Sequence, residues 1–361
     1  MIRGRFLALS GLAWGRRSNA LVGLAAALFW AVPSVVSGAA SWELFPADAD
    51  TYNYAPCAVE DGTHFFWWCQ NSEPRRIVDH LYFRRYDFAR QAWTPRELAL
   101  APGAPGTWDG VHVCDPSVIR GRFRDGGTEY GWLLAYLGCD TLTNCHNQVG
   151  LALAAAPGGP WVRYRGNPVV SGSAATWGSG QPSLVSLDQA GRVALFYTRQ
   201  EDDLSTYTYL SELDLSDLAA AHVGPPVRLS TAGLTERGAA PPVLHDADFA
   251  LAATGDLVYV VRPLAAGELT LANHSVRLPS VVQVARAEWA AIRQGEGRWT
   301  VLAEVGPEQT GFAFGHSAAF GRDPAGRLAG SGRLRLNLAV GSRQADPLWS
   351  YTLHGVLLEL P

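Results

Sequence analysis

Short apolar runs recur in pairs along residues 40–361, each pair split by a tight polar turn, and none has the length or period of an ordinary helix. The first member of each pair is Cys57 to Val59, Ser117 to Ile119, Ser183 to Leu187, Phe249 to Ala252 and Ser317 to Phe320. The second is richer in β-branched, aromatic and leucine side chains: Phe65 to Cys69, Tyr130 to Leu137, Val193 to Thr198, Leu257 to Val261 and Leu334 to Val340. Between them stand Asp61-Gly62, Asp125-Gly126, Gly191 after Asp188, Gly255-Asp256 and Gly326 after Asp323-Pro324, with glycines 64, 65, 64 and 71 residues apart. Third and fourth strands follow in most units, as Val149 to Ala154 with Trp161 to Tyr164, or Val281 to Ala287 with Trp299 to Val305. The segments Ser216 to His222 and Trp289 to Gln294 carry at most single helical turns.

Four strands per unit and five units predict an all-β chain, a five-bladed β-propeller of antiparallel blades forming one domain over residues 41–361. A two-sheet sandwich is the alternative, but it does not explain the even spacing. Closure is expected between Trp42 to Phe45 and the last strand near Val356 to Leu360, since an open ring leaves sheet edges bare.

Residues 1–40 follow a different pattern. Arg3, Arg5, Arg16 and Arg17 precede an apolar stretch from Ala20 to Val32, then Pro33 and the small residues Ser37, Gly38, Ala39 and Ala40. This is a signal-peptide layout, short for a spanning helix of about 20 residues, with an uncleaved anchor as the alternative. It predicts export to the periplasm or the exterior, with cleavage near Ala39 or Ala40 and no stable membrane insertion afterwards. With 48% of residues hydrophobic and 17% charged, the remainder builds a substantial core rather than a disordered chain. A net charge of -4 without runs of like sign argues against nucleic acid as partner, and a monomer is expected. All 29 basic residues are arginine, which excludes a phosphate-loop lysine, a Schiff base and a Ser-Lys dyad.

Five cysteines, Cys57, Cys69, Cys114, Cys139 and Cys145, permit at most two disulfides. Cys139 and Cys145 bracket a short loop that a bridge can close; the other three can supply one more pair. Neither paired Cys-x-x-Cys nor His-Glu-x-x-His occurs, which removes the usual zinc motifs.

In a propeller the first strand of each blade faces the axis. Counting back from the turn glycines brings Ala55, Asp115, Gln181, His245 with Asp246, and His316 to that axis, four of five blades offering polar groups where apolar ones would pack at less cost. Such a departure from the local rule marks a functional site, although polar residues at an axis also simply bind water.

These residues resemble the five-bladed propeller glycosidases, glycoside hydrolase family 43 with its relatives in families 32, 62, 68 and 117, over nearly the whole of residues 41–361. Cys114-Asp115-Pro116-Ser117-Val118-Ile119 followed by Trp132 to Gly138 looks like their Asp-Pro and aromatic strands. Gln148 to Ala152, Gly159-Pro160-Trp161 and Asn167-Pro168-Val169 are similar to their blade ending, and Gly180-Gln181-Pro182-Ser183 repeats the strand motif. Phe314-Gly315-His316-Ser317 resembles the segment whose histidine faces the axis. The resemblance implies an optional calcium held by His316 through water, and no required cofactor.

The family's catalysis uses an Asp base on the first blade, a tuning Asp on the second and a Glu acid on the third. Asp115 matches the second; Ala55 and Gln181 stand where the other two are expected, and neither can transfer a proton as a carboxyl does. Asp246 and Glu201 are the leading replacements, ahead of Asp48, Asp50, Asp109, Asp202, Asp203, Asp248 and Glu308, with His245, His316 and His112 as alternative proton carriers. Tyr54, Trp108, Asp109, Trp177, Gln181, His245 and His316 are the substrate-binding candidates, the aromatic ones for stacking on sugar rings. The expected function is acid/base hydrolysis of poly- or oligosaccharides at an axial pocket. Glycan binding without cleavage and a purely structural propeller are the other readings.

Overall fold

The computed structural model describes residues 40–45, 51–143, 145–236, 238–264, 268–270, 275–277, 279–328, 332–341, 349 and 351–359. The signal-peptide expectation, apart from Ala40, and the candidates Asp48 and Asp50 lie outside them.

The chain is all-β, built of antiparallel meanders. The first contains β2 (Asn53–Glu60), β3 (His64–Asn71) and β4 (Asp79–Asp87), with β5 (Ala92–Trp93) and β6 (Glu97–Leu100) both on β4. The second runs β7 (His112–Asp125), β8 (Thr128–Cys139), β9 (Gln148–Ala154), β10 (Val162–Arg163). The third is β11 (Ser179–Ser186), β12 (Arg192–Gln200) and β13 (Thr206–Asp214), edged by β14 (His222–Val223) and β15 (Val227–Arg228). The fourth is β16 (Asp248–Leu251), β17 (Leu257–Leu264), β20 (Val281–Glu288) and β21 (Thr300–Val305), while β18 (Glu268–Thr270) and β19 (Ser275–Arg277) pair with each other. The last, β22 (Phe314–Arg322), β23 (Arg333–Gly341) and β24 (Thr352–Glu359), takes β1 (Ala40–Phe45) as its outer strand. Helix is confined to single turns, at Leu218–Ala220, Trp289–Ile292 and Pro307–Thr310.

The strands form where the apolar runs predicted them, because both faces of each inner sheet are covered and near-continuous apolar runs suit that burial. In β9 every residue from Gln148 to Ala154 is buried, and β11 is buried except at Gln181. First strands neighbour one another in the order β2, β7, β11, β16, β22 and again β2. The last link is a short parallel pairing of Ala58 with Gly321 and Val59 with Arg322. The expected closure is present: Trp42 is opposite Gly355 and Ser41 opposite Val356.

A feature invisible in the strand pattern ties the first strands together. Arg322, fully buried, donates from Nη1 to the carbonyls of Leu184 (3.1 Å) and Phe249 (2.9 Å), and from Nη2 to Ser117 Oγ (3.2 Å), with Cys57 Sγ at 3.8 Å. Asp248 Oδ1 lies 3.1 Å from Nη1 and also accepts from Ser183 Oγ at 2.7 Å. One guanidinium thus meets a group from each of the other four meanders. Burial works against its charge, but Asp248 outweighs that and keeps Arg322 firmly cationic.

The cysteines correct one expectation. Cys69 on β3 is bonded to Cys114 on β7, joining the first two meanders. Cys139 and Cys145 are both free thiols; the Cys139 Sγ lies 3.2 Å from the Cys145 carbonyl, so the loop closes through hydrogen bonds instead. None of the helices among the described residues is long and apolar enough to cross a membrane.

Candidate active site at the first-strand bulges

The first strand of each meander breaks register near its start. Pairing skips from Tyr54 to Cys57, from Cys114 to Ser117, from Gly180 to Ser183 and from His316 to Ala318, and β16 begins only at Asp248. At each break a non-glycine residue takes a left-handed backbone: Ala55 (φ 44°), Asp115 (50°), Gln181 (54°), Asp246 (47°) and Ser317 (31°). Proline follows in three of the five, where the absence of an N–H costs nothing because the bulge has already left the ladder. Residues held in this region cost about 1–3 kcal/mol each, and such strain concentrates at functional sites.

All five bulge residues line one small pocket with a cavity volume of about 30 Å³, together with the residues that follow them and Asp248. Asp115, Gln181 and Asp246 therefore come together as the sequence predicted. The fifth position belongs to Ser317 rather than His316. His316 is buried between the rings of Tyr54 (centroids 5.0 Å apart) and Tyr351 (5.7 Å).

The polar groups are linked across meanders. Gln181 donates from Nε2 to Asp246 Oδ1 (2.6 Å) and accepts the Asp246 N–H at Oε1 (3.0 Å). The Tyr54 hydroxyl donates to the same Oδ1 at 3.1 Å. Burial, then the charges of Asp246 and Asp115, hold the Tyr54 hydroxyl well above the usual phenol range, so it remains a donor. Asp246 Oδ2 receives no hydrogen bond from the described residues.

Asp115 lies in a different, fully buried surrounding. Burial, then the neighbouring Asp246 and Asp79 carboxylates, push it up to about 8, against the pull of His112 and the Gln181 backbone N–H. It holds its proton at neutrality. Behind it is a buried cluster that sequence reasoning had only touched through His112. The Tyr52 hydroxyl donates to Asp79 Oδ1 at 2.5 Å, and His112 Nδ1 lies 3.8 Å from Asp79 Oδ2. Burial disfavours the imidazolium, yet Asp79 and Cys139 lift His112 above its usual range. Asp79 opens β4, a strand with no marker of axial placement, so nothing local singled it out.

The remaining candidates are placed elsewhere. Glu201 is outside the pocket lining, bound by Arg199 (2.8 Å) and the Tyr209 hydroxyl (2.5 Å); burial raises it, but these two donors prevail and hold it below the ordinary carboxylate range. Asp109 is buried, accepting from Arg163 Nε (2.7 Å) and the Tyr136 hydroxyl (3.0 Å). Trp108 lies on Tyr136 and fills the space above Gly138 and Gly150, where a Cβ would meet its ring at 2.3 and 2.4 Å. Trp177 is half-buried beside Gly180, one residue before Gln181, and half-buried His245 precedes Asp246. Calcium takes six to eight oxygen ligands. The tyrosine rings flanking His316 do not supply such a set, and among the described residues the one cluster of three metal-ligating side chains is the disulfide pair with Asp115.

No family model and no curated protein matches the chain. Solved structures do. A family 117 glycoside hydrolase of the marine bacterium Zobellia galactanivorans superimposes with a TM-score of 0.56 at 13% identity, covering 89% of each chain. An α-L-arabinofuranosidase of Podospora anserina, in complex with cellotriose, gives 0.53 at 12% identity over 88% of this chain and 94% of its own. An endo-arabinase of Bacteroides thetaiotaomicron gives 0.51 at 13% identity over 88% and 98%. The chain shares the β-propeller fold of these glycoside hydrolases.

Proposed function

We propose that this protein is an exported glycoside hydrolase acting on poly- or oligosaccharides, a monomeric five-bladed propeller over residues 41–361 with its active site at the first-strand bulges. One observation carries the reading: two carboxyls of opposite character, Asp115 pushed up to about 8 and Asp246 placed only to accept hydrogen bonds, line one pocket. Paired carboxyls in different environments are the requirement for acid/base cleavage of a glycosidic bond. Asp115 donates its proton to the departing sugar oxygen as the C–O bond breaks. Asp246 takes a proton from the attacking water, whose hydroxyl ends on the anomeric carbon. Gln181 and Tyr54 orient Asp246, and Trp177, half-buried beside Gly180, is the aromatic candidate for a sugar ring. The disulfide and the signal-peptide layout agree with an oxidising compartment.

A second reading, glycan binding without cleavage, draws on Ala55 and Gln181 standing where the resemblance calls for carboxyls. Incubating the protein, Asp115→Asn and Asp246→Asn with aryl glycosides and plant and bacterial polysaccharides separates the two. Release of reducing ends by the parent and by neither variant supports hydrolysis; binding by all three without release supports recognition.

A further inference from the structure

At two of the five bulges the backbone N–H is met by the side chain at the preceding bulge. The Asp246 N–H goes to Gln181 Oε1 at 3.0 Å, and the Gln181 N–H faces the Asp115 carboxyl and draws it down. By the same rule the Asp115 N–H belongs to position 55. Alanine there has no acceptor, and the N–H goes instead to Cys69 Sγ at 3.1 Å. Cys69 sits directly across from Tyr54, the residue before Ala55, in the β2–β3 ladder. Its disulfide partner Cys114 immediately precedes Asp115, with Sγ 3.4 Å from Asp115 Oδ1.

We propose that the Cys69–Cys114 disulfide is the positioning element of Asp115, replacing the acceptor that Ala55 lacks and fixing the carboxyl at the pocket. Its role in catalysis rests on the reading of Asp115 as the acid; its role in holding Asp115 does not. The bulge removes residues 115 and 116 from the ladder with β8, and Pro116 has no N–H. The sulfur contacts and the link to β3 therefore hold the left-handed turn that the strand does not.

The test opens the bridge in the folded, full-length protein. A trialkylphosphine reduces the disulfide by two electrons, giving two thiols and, with water, the phosphine oxide; circular dichroism checks that the fold is kept. Carboxyl ¹³C titration of aspartate-labelled protein, with the Asp115 signal assigned by its absence from Asp115→Asn, is recorded in both states alongside hydrolysis rates. The groups facing Asp115 are Asp246, Asp79, His112, Tyr52 and Tyr54, and reduction adds the Cys114 thiol to them; Cys69→Ser and Cys69→Ala carry that thiol equally, so their comparison isolates the acceptor. The expected result is a displaced Asp115 midpoint by about one pH unit or more, with at least a tenfold loss of kcat and a smaller change in KM. Cys69→Ser, whose hydroxyl can accept the N–H, recovers the midpoint more fully than Cys69→Ala. An Asp115 titration unchanged by reduction and by Cys69→Ala overturns the proposal. A displaced midpoint in a protein that hydrolyses nothing sustains the positioning role while removing the hydrolase reading. If reduction unfolds the chain, the Cys69→Ser and Cys69→Ala comparison decides; equal midpoints overturn the proposal.

Discussion

Gln181 and Asp246 grip each other twice across the gap between the third and fourth meanders, amide to carboxylate at 2.6 Å and backbone N–H to amide oxygen at 3.0 Å. An amide can do this because it donates and accepts at once; a glutamate cannot. Gln181→Glu is therefore expected to destabilise the protein at pH 7 by about 1–3 kcal/mol, since it removes a donor and sets two acceptors face to face. Denaturant unfolding at pH 7 and pH 4 checks this: the loss shrinks in acid, where the new carboxyl can hold a proton.

Asp115 holds its proton in the native state up to about pH 8, whereas an ordinary aspartate loses it near 3.8. The native state binds the extra proton between these limits, so this group's contribution is greatest below 3.8 and is lost as pH rises through 8. Asp115→Asn should flatten that slope and be more stable than the parent at pH 8, with the difference vanishing near pH 4, as read by thermal unfolding across the range. Its hydrolytic rate should fall by about 10²–10⁴-fold, the range for loss of a general acid.

Removing Arg322 leaves Asp248 buried beside no cation. Arg322→Met is expected to cost about 3–5 kcal/mol, the range for breaking a buried ion pair, in urea unfolding. Arg322→Lys should recover only part of it, because one ammonium cannot reach the acceptors that two forked nitrogens reach.

Thiol counting tests the cysteine assignment directly. Denatured, unreduced protein should show three thiols, and five after reduction. In the native protein only Cys145 should react quickly, because Cys57 and Cys139 are buried.

Much of this fold was legible because each meander repeats the same physical sequence: apolar first strand, glycine turn, richer second strand. The axial positions were legible where proline marks the residue before it, at Ala55, Asp115 and Gln181. Asp246, without that marker, was legible from the spacing, while the fifth position was read at His316 and the bulge is held by Ser317. Arg322 was not legible, since nothing local separates it from the other arginines; its role depends on groups from every other meander. Asp79 was hidden for a similar reason, brought to Asp115 by tertiary approach alone. Glu201 and Asp109 carried the right chemistry in the sequence, but their partners Arg199, Tyr209, Arg163 and Tyr136 occupy them in space.

The union of β1 with β24 sets a kinetic condition. Thr352 Oγ1 donates to the Phe45 carbonyl across 307 residues of sequence at 2.5 Å. A contact of such range forms late, since closing a long loop carries an entropy cost that nearby contacts avoid. While the chain is being made, β1 must wait unpaired until β24, translated about three hundred residues later, is complete and can close on it. That interval is when the chain is most exposed to pairing with a strand of another molecule.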